Sequence, residues 1–333
     1  MKAMMMTAMG GPGVLQLREI PTPALRRNTD ILVRLKAAGV NPLDTKLRSR
    51  GTYYPGCLPA ILGCDGAGIV EAAGPAVTRF KVGDAVYFCN GGIGGHPGNY
   101  AEYAVVDERF AAHKPAALSF AEAAAAPLVL ITAWEALHDR GRLQAGQKVL
   151  IHAGAGGVGH IAVQLAHIAG ARVCATVGSS DKADFITGLG ADHTILYKET
   201  DFVGATLEWS DSYGVDLALD TVGGKTFAAT FNAVRFYGDI VTLLQPGNDI
   251  DWKEARQRNQ RVGYELMLSP MHYGLAEAQQ HQAWILEQCA ALFDTGRLKI
   301  SLAHTFPLEK AAEAHQLLEK GSITGKIALI IEE

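Results

Sequence analysis

The sequence predicts an α/β protein of two domains, in which a doubly wound parallel sheet domain follows a smaller, mostly β domain. Its 333 residues are more than a single hydrophobic core usually serves. Up to about residue 120, short β-like runs alternate with Gly and Pro. Beyond that point strands and helices alternate, and a glycine-rich loop follows the first of those strands. These three observations together predict the fold class.

The composition indicates a globular protein. Hydrophobic residues make up 48% of the chain and charged residues 19%. No apolar run reaches the roughly 18 to 20 residues of a membrane helix, and the first residues lack a signal-peptide pattern. We therefore expect a cytoplasmic protein with no membrane partner. The net charge of −4 gives no general attraction for nucleic acid. The five cysteines are scattered, which is typical of reduced thiols.

The elements follow in order. In the first domain, strands are predicted at 31–37, 67–72, 85–88 and 100–106, before an Ala-rich helix at 122–137. The second domain has predicted strands at 148–152, 172–177, 193–196, 215–220, 240–244 and 263–268. Its predicted helices are an amphipathic one after the first strand, one at 181–189 capped by Ser180, and one at 224–236. Helices at 279–293 and 308–320 and a strand at 326–331 complete the chain.

The glycine-rich loop predicts a dinucleotide site. Gly154, Gly156 and Gly159 fit the G-x-G-x-x-G pattern between a strand and a helix. We expect Gly154 to make a tight turn, Gly156 to let a pyrophosphate approach, and Gly159 to let the helix pack closely. The anion would meet free N–H groups of the helix start, which includes Gly157 and Val158. The alternative is a plain glycine turn.

The end of the second strand favours NADP(H). An NAD site usually has an acidic residue there, but this chain has Gly178. Ser179 and Ser180 can donate hydrogen bonds, and Lys182 can pair with a 2′-phosphate. Asp181 would complement the helix dipole and face away. In the alternative interpretation, Ser180 is only a helix cap and Lys182 only a surface charge.

Several separate segments resemble one family. They are Asn41-Pro42-Leu43-Asp44 with Gly51-Thr52-Tyr53, then Gly63-Cys64-Asp65-Gly66-Ala67-Gly68-Ile69-Val70, Gly98-Asn99-Tyr100-Ala101-Glu102-Tyr103, and Thr132-Ala133-Trp134-Glu135-Ala136-Leu137. On these motifs the chain resembles the zinc-independent, NADPH-using quinone oxidoreductases (the zeta-crystallin-like branch) of the medium-chain dehydrogenase/reductase superfamily.

The resemblance implies a domain organisation. Residues 1–122 would form a GroES-like catalytic domain, 123–270 a Rossmann domain that binds NADP(H), and 271–333 a return to the catalytic domain. The active site would lie in the cleft between the domains. Such proteins commonly form homodimers through the edges of their cofactor sheets, and residues 263–268 are the candidate edge here.

The same resemblance bears on metal. Relatives with a catalytic zinc hold it by Cys where this chain has Asn41, by His-Glu where it has Cys64-Asp65, and by a Cys near Leu128. Catalytic zinc needs three protein ligands, and only Cys64 and Asp65 could serve. We therefore expect no metal. Without a Lewis acid, reduction of a quinone or an α,β-unsaturated carbonyl is the natural chemistry.

The resemblance also suggests roles for single residues. Tyr53 would donate to the acceptor oxygen, with Tyr54 as its rival and aromatic packing as the alternative for both. Asn41 would position the nicotinamide ribose or the substrate, or else only cap a turn. Thr132 would bond the nicotinamide carboxamide, or its own backbone. Tyr197 would pack near the adenosine phosphate, and Lys326 would reach a cofactor phosphate.

Two points stay open. The glycine-rich segment 90–98 is either a mobile lid beside the acceptor pocket or a flexible surface loop, and His96 within it either touches substrate or is solvated. The alternatives to a zinc-independent reductase are a zinc-dependent alcohol dehydrogenase and an NADPH-binding structural or regulatory protein with little turnover.

Overall fold

The computed structural model describes residues 1–332 and divides the chain into two compact units. The first unit comprises residues 1–128 together with the chain from residue 268 onward, and the second comprises residues 129–267. Both boundaries lie a few residues from those predicted. None of the helices in the described part of the chain is long and apolar enough to cross a membrane.

The strands and helices are numbered here in chain order. The strands are β1 (Lys2–Met6), β2 (Leu15–Glu19), β3 (Asp30–Val40), β4 (Ala60–Ile61), β5 (Asp65–Ala73), β6 (Ala85–Cys89), β7 (Tyr103–Asp107), β8 (Ala111–His113), β9 (Lys148–Ile151), β10 (Arg172–Val177), β11 (His193–Leu196), β12 (Val215–Asp220), β13 (Val234–Thr242), β14 (Arg261–Tyr264), β15 (Leu302–Pro307) and β16 (Lys326–Ile330). The α-helices are α1 (Pro42–Arg50), α2 (Phe120–Ala125), α3 (Pro127–Trp134), α4 (Gly157–Ile168), α5 (Ser180–Thr187), α6 (Phe202–Trp209), α7 (Gly224–Ala233), α8 (Lys253–Gln257), α9 (Ser269–Tyr273), α10 (Ala276–Asp294) and α11 (Ala311–Lys320).

The first unit contains two sheets. A three-stranded sheet has the order β2-β1-β4, and a seven-stranded sheet has the order β15-β16-β3-β5-β6-β8 with β7 also paired to β3. Inward side chains of β3 alternate along the strand, because successive residues of a strand face opposite sides. Ile31, Val33 and Leu35 accordingly pack with Phe80 and Phe88 in one core. Strand β3 is therefore the centre of this unit, and α1 begins directly beyond its end.

The second unit is a six-stranded parallel sheet in the order β11-β10-β9-β12-β13-β14. Leu150 and Ala218 on central strands pack against Phe227 and Phe231 of α7. The strand order reverses between β9 and β12, and ligands bind open α/β sheets at the carboxyl ends of strands beside such a point. The predicted fold class is confirmed, and the glycine-rich loop leaves the carboxyl end of β9.

The structure differs from the predicted elements at several places. The single helix at 122–137 is interrupted, because Pro127 has no N–H to continue α2 and starts α3 instead. α2 belongs to the first unit, where it packs against β3 and β5. α5 begins at Ser180 with Ser179 at the capping position, so the predicted Ser180 cap is wrong. β15 was missed because its side chains are mostly exposed and give no apolar run.

Candidate functional site

The glycine-rich loop joins β9 to α4 by an unexpected turn. The residue with a left-handed backbone is Ala153, at φ 51°, and Gly154 is not in that region. Gly154 is needed for another reason, since a Cβ there would lie 2.9 Å from the Cβ of Ala175 on β10. The expected tight-turn role of Gly154 is therefore replaced by close packing of the loop on the neighbouring strand.

Gly159 is the most constrained glycine of the loop. A Cβ on it would lie 2.2 Å from the carbonyl oxygen of Ala153, whereas one on Gly156 would lie 3.2 Å from the same oxygen. The first turn of α4 thus rests on the loop's own backbone. No side chain caps this helix, and the first N–H groups of a helix, here those of Gly157 and Val158, have no intrahelical acceptor. The loop therefore presents backbone donors to an anion.

The predicted ribose-phosphate residues lie close together in the second unit. A Cβ on Gly178 would lie 3.2 Å from the hydroxyl oxygen of Tyr197, which is 52% exposed and follows β11. Ser179 and Ser180 are exposed at the start of α5, and Lys182 lies in the first turn of that helix. The space beside Gly178 is thus bordered by the Tyr197 hydroxyl, and Ser179 and Ser180 follow Gly178 directly in the chain. Thr132 lies on α3 and is 5% exposed.

The side chain of His152 supports the glycine-rich loop through buried hydrogen bonds. The sequence did not predict this role. Thr230 Oγ1 donates to the carbonyl of Thr226, so His152 Nε2–H donates to Thr230 Oγ1, at 2.9 Å. His152 Nδ1 then accepts from Thr176 Oγ1 at 3.2 Å, and Thr176 Oγ1 accepts from Ala153 N. With this neutral tautomer, both ring nitrogens of His152 and the hydroxyls of Thr176 and Thr230 have hydrogen-bond partners. The only sequence signal was that His152 directly follows β9.

Burial lowers the pKa of His152 to about 4, against the opposing influence of Asp220. A folded-state pKa below the unfolded value gives stability that is present above about pH 6.5 and is lost as pH falls towards 4. We expect the free energy of unfolding of wild type, relative to His152→Gln, to decrease by about 2 kcal/mol between pH 7 and pH 4.5. Urea denaturation at both pH values measures it. Parallel pH profiles for the two proteins would contradict the assignment.

Tyr53 and Tyr54 differ in what their hydroxyls contact. The Tyr54 hydroxyl donates to the carbonyl of His272 at 3.0 Å. Tyr53 stacks at an angle on the His272 ring, with centroids 5.0 Å apart, and its backbone N–H donates to Ile93. Its hydroxyl makes no hydrogen bond to any residue in 1–332, and burial raises its pKa. Tyr53 is therefore a protonated phenol whose donor is unused.

Asn41 is held in a buried network of charged groups. Its Nδ2 donates to Asp65 Oδ2 at 2.9 Å, and its Oδ1 accepts from the ammonium of Lys326. Lys326 also donates to the carbonyl of Val40, and Leu128 N donates to Asp65 Oδ1 at 2.9 Å. Burial raises the pKa of Asp65 and lowers that of Lys326. The network fixes the orientation of the Asn41 amide.

Lys326 therefore has a different partner from the one that the resemblance suggests. β16 pairs with the Ala37–Val40 part of β3, which turns the Lys326 side chain inward, and only 4% of it is exposed. Its ammonium reaches Asn41 inside the first unit and does not extend outward to a phosphate. We reassign Lys326 to positioning Asn41.

Asp44 is the third residue of α1, and its side chain bonds back to Asn41, the capping residue of that helix. Its Oδ2 accepts from Asn41 N at 2.8 Å and from the Tyr100 hydroxyl at 3.0 Å, and that hydroxyl lies 3.2 Å from His315 Nε2. Burial raises the pKa of Asp44 to about 7. Asn41 is thus the capping residue of α1, as the turn-capping alternative predicted, and its side-chain amide also donates to Asp65. Nothing in the sequence indicated that His315 would contact the Tyr100 hydroxyl.

The polar groups that meet here are the Asn41 amide, the Asp65 carboxylate and the Lys326 ammonium. Within residues 1–332, no group of three or more His, Cys, Asp or Glu side chains is arranged to hold a metal ion. Cys64 is buried, and Cys57, the nearest further thiol in the sequence, is exposed. These buried groups are bonded mainly to one another.

The segment 90–98 packs against the loop that contains Thr52, Tyr53 and Tyr54, which we call the tyrosine-bearing loop. A Cβ on Gly94 would lie 2.4 Å from Thr52 Oγ1, and one on Gly95 would lie 2.9 Å from the Tyr54 ring. Gly91 and Gly92 have positive φ values of 76° and 78°, which favour glycine. These glycines allow close contact between the two loops. The structure thus places segment 90–98 against Thr52 and Tyr54, and its role as a lid or as a surface loop stays a prediction.

Comparison with known proteins gives full-length matches. Residues 27–116 match the family described as alcohol dehydrogenase GroES-like domain, and residues 189–329 match zinc-binding dehydrogenase. A quinone oxidoreductase of Pseudomonas aeruginosa is 32% identical over 329 residues, covering 99% of each chain. The human quinone oxidoreductase is 30% identical over 335 residues, covering 99% of this chain and 98% of the relative.

Solved structures also match this chain over nearly its whole length. An alcohol dehydrogenase superfamily protein from Novosphingobium aromaticivorans is 37% identical with a TM-score of 0.92, and 100% of each chain is covered. The Escherichia coli quinone oxidoreductase, whose structure was determined in complex with NADPH, is 30% identical with a TM-score of 0.87. That match covers 99% of this chain and 100% of the other.

Proposed function

Because the chain belongs to the zinc-independent quinone oxidoreductases of the medium-chain dehydrogenase/reductase superfamily, we propose that it reduces a quinone with NADPH and without metal. The observation that carries this proposal is the similarity to quinone oxidoreductases over nearly the whole chain. An α,β-unsaturated carbonyl is the other acceptor of the same reactivity, since it also gains charge on oxygen when hydride adds.

The second unit fits the dinucleotide. Backbone N–H groups at Gly157 and Val158 would hold the pyrophosphate, in the cradle that a Cβ on Gly159 would fill. The hydroxyls of Ser179 and Ser180, with Lys182, would hold the 2′-phosphate beside Gly178. Tyr197 would flank the same position, and Thr132 would bond the carboxamide. NADPH supplies the hydride when it is bound.

The first unit would stabilise the acceptor. Tyr53 would donate its hydrogen bond, or its proton, to the oxygen that gains charge. Asn41 would hold the nicotinamide ribose or the substrate, with its amide oriented by Asp65 and Lys326. Unused donors in fixed positions stabilise developing charge without reorganisation. The remaining polar groups of this network are already bonded to one another.

Substitution of the two tyrosines tests these roles. We expect Tyr53→Phe to lower kcat/KM for quinone reduction about tenfold, because one donor to the developing oxyanion is removed. Tyr54→Phe is the matched control, since its hydroxyl is engaged with the His272 carbonyl, and it should change kcat/KM less than about threefold. Steady-state NADPH oxidation measures both. A larger loss in Tyr54→Phe than in Tyr53→Phe would reverse the assignment.

We further propose a homodimer that pairs the sheets of the second unit through β14. This strand is at one end of the sheet order, and its residues Arg261 and Tyr264 are exposed. An exposed strand edge has unpaired N–H and C=O groups that a second copy can bond. The predicted edge, 263–268, overlaps β14 at its first two positions.

A further inference from the structure

The first unit contains a cavity that the proposed function does not use. Its volume is about 460 Å³, within the usual range of small-molecule sites. One wall is the segment from Pro21 to Asp30, and another is formed by Asn90, His96 and Pro97 of the glycine-rich segment 90–98. This segment is therefore shared between the cavity and the tyrosine-bearing loop.

Two guanidinium groups on the cavity wall lack protein partners. Arg26 and Arg27 each donate a backbone N–H to Asp30 Oδ2, at 3.0 and 2.8 Å, which fixes the turn that carries them. Their side chains make no hydrogen bond or ion pair with any residue in 1–332. Both residues line the cavity and are solvent-exposed. A guanidinium fork matches the oxygens of carboxylate, sulfonate and phosphate groups.

The carboxylates of the wall, Asp30 and Asp107, form no ion pair with Arg26 or Arg27 among residues 1–332. Asp107 accepts from Thr29 Oγ1 at 2.9 Å and pairs with the Arg109 guanidinium. Asp30 is 5% exposed and accepts the two backbone N–H groups. Burial, then Arg26 and Arg27, lower the pKa of His96, against an opposing influence of Asp30. The charges of Arg26 and Arg27 thus act on His96, another residue of the cavity wall, in opposition to Asp30.

Part of the remaining lining is apolar, beside the polar residues Thr22, Asn90 and Tyr103. Pro23, Val105 and Phe110 contribute carbon surface to the cavity. A pocket with an apolar wall and a few convergent charged groups takes a ligand that combines both properties. We propose that this cavity binds a small organic anion, with its carboxylate, sulfonate or phosphate on Arg26 and Arg27 and a flat apolar body against Val105 and Phe110.

Anilinonaphthalene sulfonate is a suitable probe, because it has an aromatic body and one anionic group. Its fluorescence would be titrated against the full chain saturated with NADP⁺, so that the dinucleotide site is filled. We expect saturable binding whose Kd rises about tenfold or more in Arg26→Gln/Arg27→Gln. The control Arg256→Gln/Arg297→Gln removes two exposed arginine charges elsewhere and should leave Kd within about twofold.

Equal Kd values in the two double variants would overturn the proposal. So would equal effects on phenylnaphthylamine, which has the rings without the sulfonate. A second measurement uses wild type alone: the NMR titration of His96 should move to higher pKa when the probe is bound, because the anion offsets Arg26 and Arg27. An unchanged His96 titration at probe saturation would also overturn it.

Occupation of the cavity should affect turnover through the shared segment. Tyr53 N donates to the carbonyl of Ile93 at 3.0 Å, and Gly95 lies against Tyr54. We expect the bound probe to change KM for quinone at least about twofold in wild type and not in Arg26→Gln/Arg27→Gln. This consequence depends on the proposed function, whereas the binding and NMR measurements do not. An unchanged KM with intact binding would refute the coupling alone.

Discussion

Gly159→Ala is expected to weaken NADPH binding by at least about a hundredfold. The new Cβ would lie 2.2 Å from the carbonyl oxygen of Ala153, a distance that no real Cβ occupies, so the loop or the first turn of α4 must move. Movement of either displaces the N–H groups that would bind the pyrophosphate. Each hydrogen bond to a charged group contributes about 1.5 to 3 kcal/mol, so losing two gives this change.

Fluorescence titration with NADPH measures the effect. Gly188→Ala is the matched control, because Gly188 lies in the same unit with an ordinary helical backbone, and its Cβ would meet its nearest atom at 3.4 Å. Thermal denaturation of both variants separates a local change at the loop from loss of the fold. Unchanged NADPH affinity in a folded Gly159→Ala protein would show that the cofactor is held elsewhere.

Lys326→Met is expected to lower the free energy of unfolding by about 3 to 5 kcal/mol. The ammonium is buried against Asn41, and Asp65 and Asp44 are the acidic groups that stabilise its charge. Lys326 and Asp65 are connected through the Asn41 amide, so removal of the ammonium leaves the buried Asp65 carboxylate without a nearby cation, and leaving a buried charge uncompensated costs about this much. Urea denaturation of the wild type and the variant measures the loss in the free energy of unfolding.

Two further variants test the cause. Lys46→Met removes an exposed lysine from α1 and should change stability by less than about 0.5 kcal/mol. The double variant Lys326→Met/Asp65→Asn removes both charges and should recover part of the loss, because no unpaired charge remains. A Lys326→Met protein as stable as Lys46→Met would contradict the network described for Asn41.

The sequence predicted those parts of the fold that depend on periodicity and local chemistry. The parallel sheet of the second unit follows from alternating strands and helices, and the loop before α4 follows from glycine spacing. The pattern could not show that Ala153 takes the left-handed turn, since that depends on how closely Gly159 approaches it. Helix boundaries near Pro127 shifted because one proline divides an otherwise uniform Ala-rich segment.

The candidate site was predicted where one motif contains neighbouring residues, and missed where distant segments meet. Gly178 and Tyr197 were both identified, but their proximity depends on parallel pairing of β10 with β11. Asn41 and Lys326 were named separately, and antiparallel pairing of β16 with β3 brings them together. His152 and His315 were missed because a single buried histidine has no pattern around it.

Turnover with a quinone under two cofactors tests the central claim most directly. Chelator-treated protein would be assayed with NADPH and with NADH at equal concentration, following oxidation of the nicotinamide in the presence of a quinone. We expect kcat/KM for NADPH to exceed that for NADH at least about tenfold, because in the proposed site Gly178, Ser180 and Lys182 would accommodate a 2′-phosphate. Turnover should also persist after chelation. Activity that requires added zinc, a preference for NADH, or tight NADPH binding without reduction of any quinone would contradict the account.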